Sequence, residues 1–162
     1  MSSRSHGCRS AISYRQKIKL AGVIYLHRIS DNRMSASAWK NIELLENLCG
    51  ERAMRNIVLV TTMWGEVKED KGTQRERELH GEYWRPMLDK GTKAMRFQDT
   101  TESAWTIADS ILGTDPSHLD LQKDLVDGQK SLSETRAGIL LRKPPKKRLG
   151  RLAKNIRGLF SR

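Results

Sequence analysis

An α/β fold built on a parallel sheet is predicted by three features of the sequence. Two short apolar runs, Leu20–Leu26 and Ile57–Val60, are rich in β-branched side chains and lack polar alternation, as do strands covered on both faces. Between them Trp39, Ile42, Leu45 and Cys49 recur at helical spacing over residues 36–49. Strand, helix and strand in that order make a right-handed crossover unit, whose ligands sit beyond the carboxyl ends of the strands. Function is therefore expected in the loops after the two runs, His27–Asp31 and Thr61–Gly65.

Taken in order, residues 1–13 are polar and basic and are expected to be disordered. A short polar approach, Tyr14–Lys19, leads into the first strand. Ser35 or Ser37 is placed to cap the first helix by accepting from its free N–H groups, and Gly50 ends it where a left-handed residue is wanted. The second strand ends at Thr61 or Thr62, and residues 65–72 read as a charged surface loop. A helix over 74–88 carries Leu79, Tyr83 and Met87 at i, i+4 and i+8, with Pro86 limiting its end. Residues 93–97 form a short third strand. Asp99 with Glu102 three residues on has the form of a capping box, opening a helix whose Ala104, Ala108, Ile111 and Leu112 share a face until residues 113–116 stop it. Residues 114–141 read as a helical extension with Leu121, Leu125 and Leu132 in loose register, a short coiled-coil-like pattern interrupted by Gly128 and Gly138.

Charge divides the chain. The formal charge is +11, yet residues 1–19 carry five basic side chains and residues 142–162 carry nine, with no acid in either stretch. Residues 20–141 then hold 16 basic and 19 acidic side chains, so the folded part is mildly acidic and the basicity belongs to the ends. This counts against a domain that reads nucleic acid through its own surface. Two cysteines, Cys8 and Cys49, make neither a disulfide framework nor a zinc site, and no run approaches the ~20 apolar residues of a membrane span. The expected setting is intracellular and cytoplasmic, with the nucleus or a membrane surface as alternatives.

The runs Leu20-Ala-Gly-Val-Ile-Tyr-Leu-His-Arg-Ile-Ser-Asp-Asn-Arg-Met34, Asn56-Ile-Val-Leu-Val-Thr-Thr-Met-Trp-Gly-Glu-Val67 and Arg96-Phe-Gln-Asp-Thr-Thr-Glu-Ser-Ala104 resemble those of fungal G-domain proteins. These are P-loop GTPase-like proteins of the septin and immunity-associated GTPase branch. The likeness covers roughly residues 14–140, including Lys130-Ser-Leu-Ser-Glu134, and matches only the carboxyl-terminal half of such a domain. It implies an incomplete P-loop NTPase-like, Rossmann-like three-layer fold of about three parallel strands, with residues 14–113 as the half-domain. It also implies GTP and Mg²⁺ as ligands and nucleoside triphosphate hydrolysis as the family's activity. The 162 residues contain neither G-x-x-x-x-G-K followed by Ser or Thr nor D-x-x-G. The N–H cradle, the lysine and the hydroxyl that grip phosphates and Mg²⁺ are therefore missing, and a fragment with little or no hydrolysis is expected.

The resemblance also implies a base-recognition element, Asn or Thr followed by Lys-x-Asp, after the second strand. The matching positions are Thr62, Met63, Trp64 and Gly65. Met63 can pack on a base, but Gly65 offers no carboxylate, and a lost charged hydrogen bond costs about 1.5–3 kcal/mol. Thr62, Met63 and Trp64, with Gln98 and Asp99 in the place of the third base-contacting loop, are the nucleotide-base candidates. No catalytic or metal-ligating set is evident. His27, at a strand end, has no nucleophile or carboxylate arranged with it by sequence, and Arg28 with Asp31 reads first as a surface ion pair.

Residues 142–162 form a basic amphipathic tail. Leu149, Leu152, Ile156, Leu159 and Phe160 fall on one arc if helical, with Lys146, Lys147, Arg148, Arg151, Lys154 and Arg157 as candidates for an anionic membrane or nucleic acid. A non-catalytic interaction or membrane-surface module is the alternative function. Half a domain is also expected to leave apolar sheet open to a protein partner.

Overall fold

The computed structural model describes residues 14–16, 18–32 and 34–144, which form an α/β fold around a three-stranded parallel sheet. The basic tail candidates Lys146, Lys147, Arg148, Arg151, Lys154 and Arg157, and the expected disorder of residues 1–13, lie outside the described residues. Strands β1 (Val23–Arg28), β2 (Ile57–Thr62) and β3 (Lys93–Arg96) lie in that order. β1 and β2 run side by side in one direction, Val23 opposite Ile57 and Arg28 opposite Thr62. β2 and β3 do likewise, Val58 opposite Lys93. Helices cover the sheet in layers, in a Rossmann-like arrangement.

β2 is the buried centre. Ile57, Val58, Leu59 and Val60 are at most 1% exposed. On one side Ile57 and Leu59 meet helix α1 (Ala36–Cys49) through Ile42, Leu45 and Cys49, together with Met54, Trp84 and Met87. On the other, Val58 and Val60 meet Ile107 and Ile111 of α4 (Thr101–Leu112). α1 begins where expected: Ser35 accepts from the N–H of Ala38 at 3.0 Å, and Gly50 ends the helix at φ 73°.

The first strand departs from expectation. It starts at Val23 rather than Leu20 and extends through His27 and Arg28. Its side chains alternate, with Val23, Tyr25 and His27 turned to the α1 side and Ile24, Leu26 and Arg28 exposed. α4 packs over β2 and leaves the same face of β1 bare, so Ile24 is 44% and Leu26 64% exposed, and the outer edge of β1 is unpaired among the described residues. Leu20 instead makes an antiparallel bridge with Ser117. Gly22 is required between them, because a Cβ there would stand 2.5 Å from the Asn56 carbonyl oxygen and 2.4 Å from Ile111.

The segment after β2 is also corrected. Residues 65–72 are not a loop throughout: α2 spans Glu69–Glu78, so Gly72 is helical, and a π turn, Leu79–Tyr83, leads into α3, Arg85–Leu88. Pro86 has no N–H for the carbonyl four residues back, so it sits in the first turn of α3 rather than ending a longer helix. The turn widens by one residue, Trp84 N–H reaching the Leu79 carbonyl at 2.7 Å, which brings Trp84 and Met87 into the core.

Two further expectations shift. The cap of α4 is Thr100, which accepts from the Ser103 N–H at 3.1 Å, and not Asp99. Its buried face is Ile107 and Ile111, while Leu112 is 70% exposed and Ala104 is also exposed. The trailing stretch folds as two seven-residue helices, α5 (Asp120–Val126) and α6 (Arg136–Arg142), the second with Gly138 inside it; the coiled-coil pattern has no counterpart there. α6 rests on α1, where Lys40 donates to the carbonyls of Leu141 and Lys143 at 2.9 and 2.6 Å.

Asn56 joins these parts. Its side-chain amide donates to the carbonyls of Ala21 at 2.9 Å and Asp115 at 2.8 Å, fixing the entry to β1 against the exit from α4. Asn56→Ala is expected to cost about 1–3 kcal/mol by leaving those carbonyls unmatched, and Asn56→Asp more, because a carboxylate cannot donate to them. Urea unfolding midpoints of the two variants check both the size and the order.

Candidate functional site

The carboxyl ends of the strands carry three loops, each held by its own polar contacts. After β1, the chain is fastened by Arg75 of α2, which donates to the carbonyls of Ile29 at 2.9 Å and Ser30 at 3.0 Å and also contacts the Asn32 side chain. A water-sized cavity of about 20 Å³ sits here, lined by His27, Asp31, Asn32, Arg75, Glu78 and Tyr83, among others. His27 is buried beside Trp84, their rings edge to face at 6.0 Å, and burial lowers its pKa against the opposing pull of Asp31. His80 lies on Trp84 as well, at 5.6 Å. Arg28 pairs with Glu66 at 3.4 Å rather than with Asp31, a solvent-exposed contact.

After β2 the backbone turns sharply. Thr62 donates its hydroxyl to the His27 carbonyl at 3.4 Å, and Met63 adopts the left-handed region at φ 63° and ψ 39°. Such a conformation is uncommon for an unbranched apolar residue and marks a tight reversal. Trp64 opens a short 3₁₀ turn, Trp64–Glu66, and is half-buried against the core. Its indole N–H donates to the Thr61 hydroxyl at 3.1 Å, and its ring covers Gly72 so closely that a Cβ there would stand 2.8 Å away. The Arg96 guanidinium lies 4.0 Å from the ring centroid.

Arg96 is the residue that sequence reasoning missed. From the end of β3 it donates to Glu76 at 2.6, 2.9 and 3.1 Å and to Glu69 at 3.2 Å while stacking on Trp64, so it ties the β2 loop to α2 and β3. Nothing in the local pattern marks it, because its partners are 20 and 27 residues away. Arg75 was missed for the same reason.

The β3 loop leaves beside the β2 loop, the Phe97 N–H donating to the Thr61 carbonyl at 2.8 Å. Gln98 is exposed and its N–H is held by the Ser103 hydroxyl at 3.2 Å; Asp99 is exposed in a left-handed turn at φ 54°. A hollow of about 310 Å³ opens between β3 and the start of α4, lined by Met95, Arg96, Gln98, Thr100, Glu102 and Thr106, among others. The structure thus sets Thr62, Met63 and Trp64 on one loop and Gln98 and Asp99 on its neighbour at one sheet edge. Of these five, only Gln98 lines the hollow.

The two loops present three kinds of side chain. Met63 supplies an apolar contact, Gln98 an amide and Asp99 an exposed carboxylate. Trp64, with Arg96 on its ring, is a support for the loop. No group of three or more His, Cys, Asp or Glu side chains among the described residues could hold a metal ion. Cys49 is buried, and that burial, with Asp120 nearby, pushes its thiol up to about 12. Among the described residues no helix is long and apolar enough to cross a membrane. No protein-family model, curated protein or solved structure matches the chain.

Two outcomes are expected. A double-mutant cycle on Arg96→Ala and Glu76→Ala should show a coupling of about 1 kcal/mol, above that of an exposed pair because the contact is forked and half-buried. His27 has a depressed pKa in the folded state, so the unfolded chain takes up more protons as pH falls below the ordinary value of 6.5. Stability should decline as pH falls through about 6.5, and His27→Gln should remove part of that slope in urea titrations.

Proposed function

We propose that this chain is a nucleotide-binding module, the base-side half of a P-loop GTPase-like domain, with no hydrolysis of its own. One observation carries the reading. The loops after β2 and β3 leave adjacent parallel strands at the same carboxyl edge, tied together at Thr61 and Phe97, which is where open α/β sheets receive ligands. The resemblance of Asn56–Val67 and Arg96–Ala104 to the base-side runs of G-domain proteins supports the same placement.

In this reading Met63 packs on the face of a purine, and Gln98 and Asp99 border its edge. Trp64 and Arg96 hold the β2 loop in shape from behind. Gly65 cannot supply the carboxylate that selects guanine, so discrimination between guanine and adenine is weak. The 162 residues lack a phosphate loop, so affinity depends little on the number of phosphates or on Mg²⁺. Without the lysine and hydroxyl of that loop, the reading includes no turnover.

Chemical-shift titration tests each part. GMP and GTP should perturb Thr62, Met63, Gln98 and Asp99 alike at about millimolar concentration, roughly 4 kcal/mol of binding, with and without Mg²⁺. Met63→Ala should weaken the response several-fold. No response to any nucleotide at ~10 mM would sink the reading, and Mg²⁺-dependent micromolar binding would show that the phosphates are gripped after all.

A further inference from the structure

Three residues other than glycine hold a left-handed backbone among the described residues: Met63, Asp99 and Gln129. Gln129 lies just past α5, where helices commonly end in that conformation, and the Lys130 N–H donates back to the Asp124 carbonyl at 3.0 Å. Asp99 is of a residue type that enters the region readily, because its short polar side chain can hydrogen-bond locally. Met63 has neither reason. It follows a strand, and an unbranched apolar side chain gains no local hydrogen bond there.

The neighbours of Met63 impose its turn. Thr62 is held to the His27 carbonyl, the Trp64 indole is held to the Thr61 hydroxyl with Arg96 on its ring, and the Glu66 N–H donates to the Met63 carbonyl at 3.2 Å. A backbone fixed in this way favours glycine or asparagine. The loop does contain a glycine, but two residues late. Gly65 lacks a left-handed φ, and a Cβ there would meet nothing within 4 Å. Packing does not offset the strain either. Met63 is half-buried but packs against neither of the two described cores, whereas Trp64 and Val67 beside it pack against one.

We propose that the Met63 side chain is kept for a bound molecule at the expense of stability, and that it selects purine over pyrimidine rings. The proposal rests on the nucleotide reading and adds to it the residue that chooses the ring. A thioether on an unbranched stem is polarizable and adaptable, and its attraction to an aromatic face grows with the number of atoms in contact. A two-ring base therefore offers it more than a one-ring base. Contact with a face does not read the hydrogen-bonding edge, so guanine and adenine are taken alike, in keeping with Gly65 offering no carboxylate.

Chemical-shift titrations of the full chain with GMP, AMP and CMP test the selection, and thermal unfolding without nucleotide tests the strain. The natural chain should bind GMP and AMP within about twofold of each other and CMP several-fold more weakly. Met63→Gly and Met63→Asn fit the turn without the apolar contact. They should unfold about 1–4 °C above the natural chain and bind all three nucleotides equally weakly. Met63→Leu keeps both the strain and an apolar side chain, so it should keep the natural unfolding temperature and most of the purine preference. A lower unfolding temperature in both Met63→Gly and Met63→Asn overturns the proposal by making the side chain structural. A purine preference that survives in those variants overturns it too, because the selection then lies elsewhere. If no nucleotide acts at ~10 mM, the nucleotide reading fails and takes the proposal with it. Binding by the natural chain with no purine preference strikes the proposal alone.

Discussion

Everything in this structure depends on burying β2 from both sides. Ile57 to Val60 have no polar partner but the backbone of their neighbours, and the chain must supply two apolar layers to remove them from water. α1, Met54, Trp84 and Met87 make one layer; Ile107 and Ile111 of α4 make the other. Parallel pairing with β1 and β3 then satisfies the backbone of β2, because a strand at that depth cannot leave its N–H and C=O groups to solvent. The first layer is broad enough to reach β1. The second is one helix wide and is not, and the exposure of Ile24 and Leu26 follows directly.

That asymmetry explains which parts of the fold were legible in the sequence. The run Ile57–Val60 reads correctly because it is covered on both faces, and α1 reads correctly because Ser35 and Gly50 bracket an apolar stripe of helical period. Leu20–Leu26 looks the same by composition but is not the same object: only Val23, Tyr25 and His27 face a layer, and Leu20 leaves the sheet to meet Ser117. Periodicity cannot distinguish an apolar residue that is covered from one that waits for cover. On this face Ile24 and Leu26 are the residues without cover among the described ones.

The candidate site was legible in position and not in construction. That loops after Thr62 and after Phe97 would share one edge follows from parallel order, and the strands do run that way. What holds those loops is long-range and polar: Arg96 on Trp64, Glu76 and Glu69, and Arg75 on the Ile29 and Ser30 carbonyls. An arginine in a charged helix reads as a solvated surface residue until its partners are known. Asp99 has the pattern of a cap because Glu102 follows at the right distance, but Thr100 fills the role one residue later and leaves Asp99 in a left-handed turn.

The π turn before Pro86 has a consequence for how aromatic side chains are sorted between core and surface. One residue more in a helical turn rotates everything after it by about 100°. Here that rotation is what sends Trp84 inward and leaves Tyr83 against Trp39 at the rim. The identity of the largest buried side chain is thus decided by a ring that lacks a hydrogen atom on its nitrogen. A chain with an ordinary residue at 86 would have two competing phases available, one burying an indole and the other a phenol, and would lose the uniqueness of its interior before it lost its compactness.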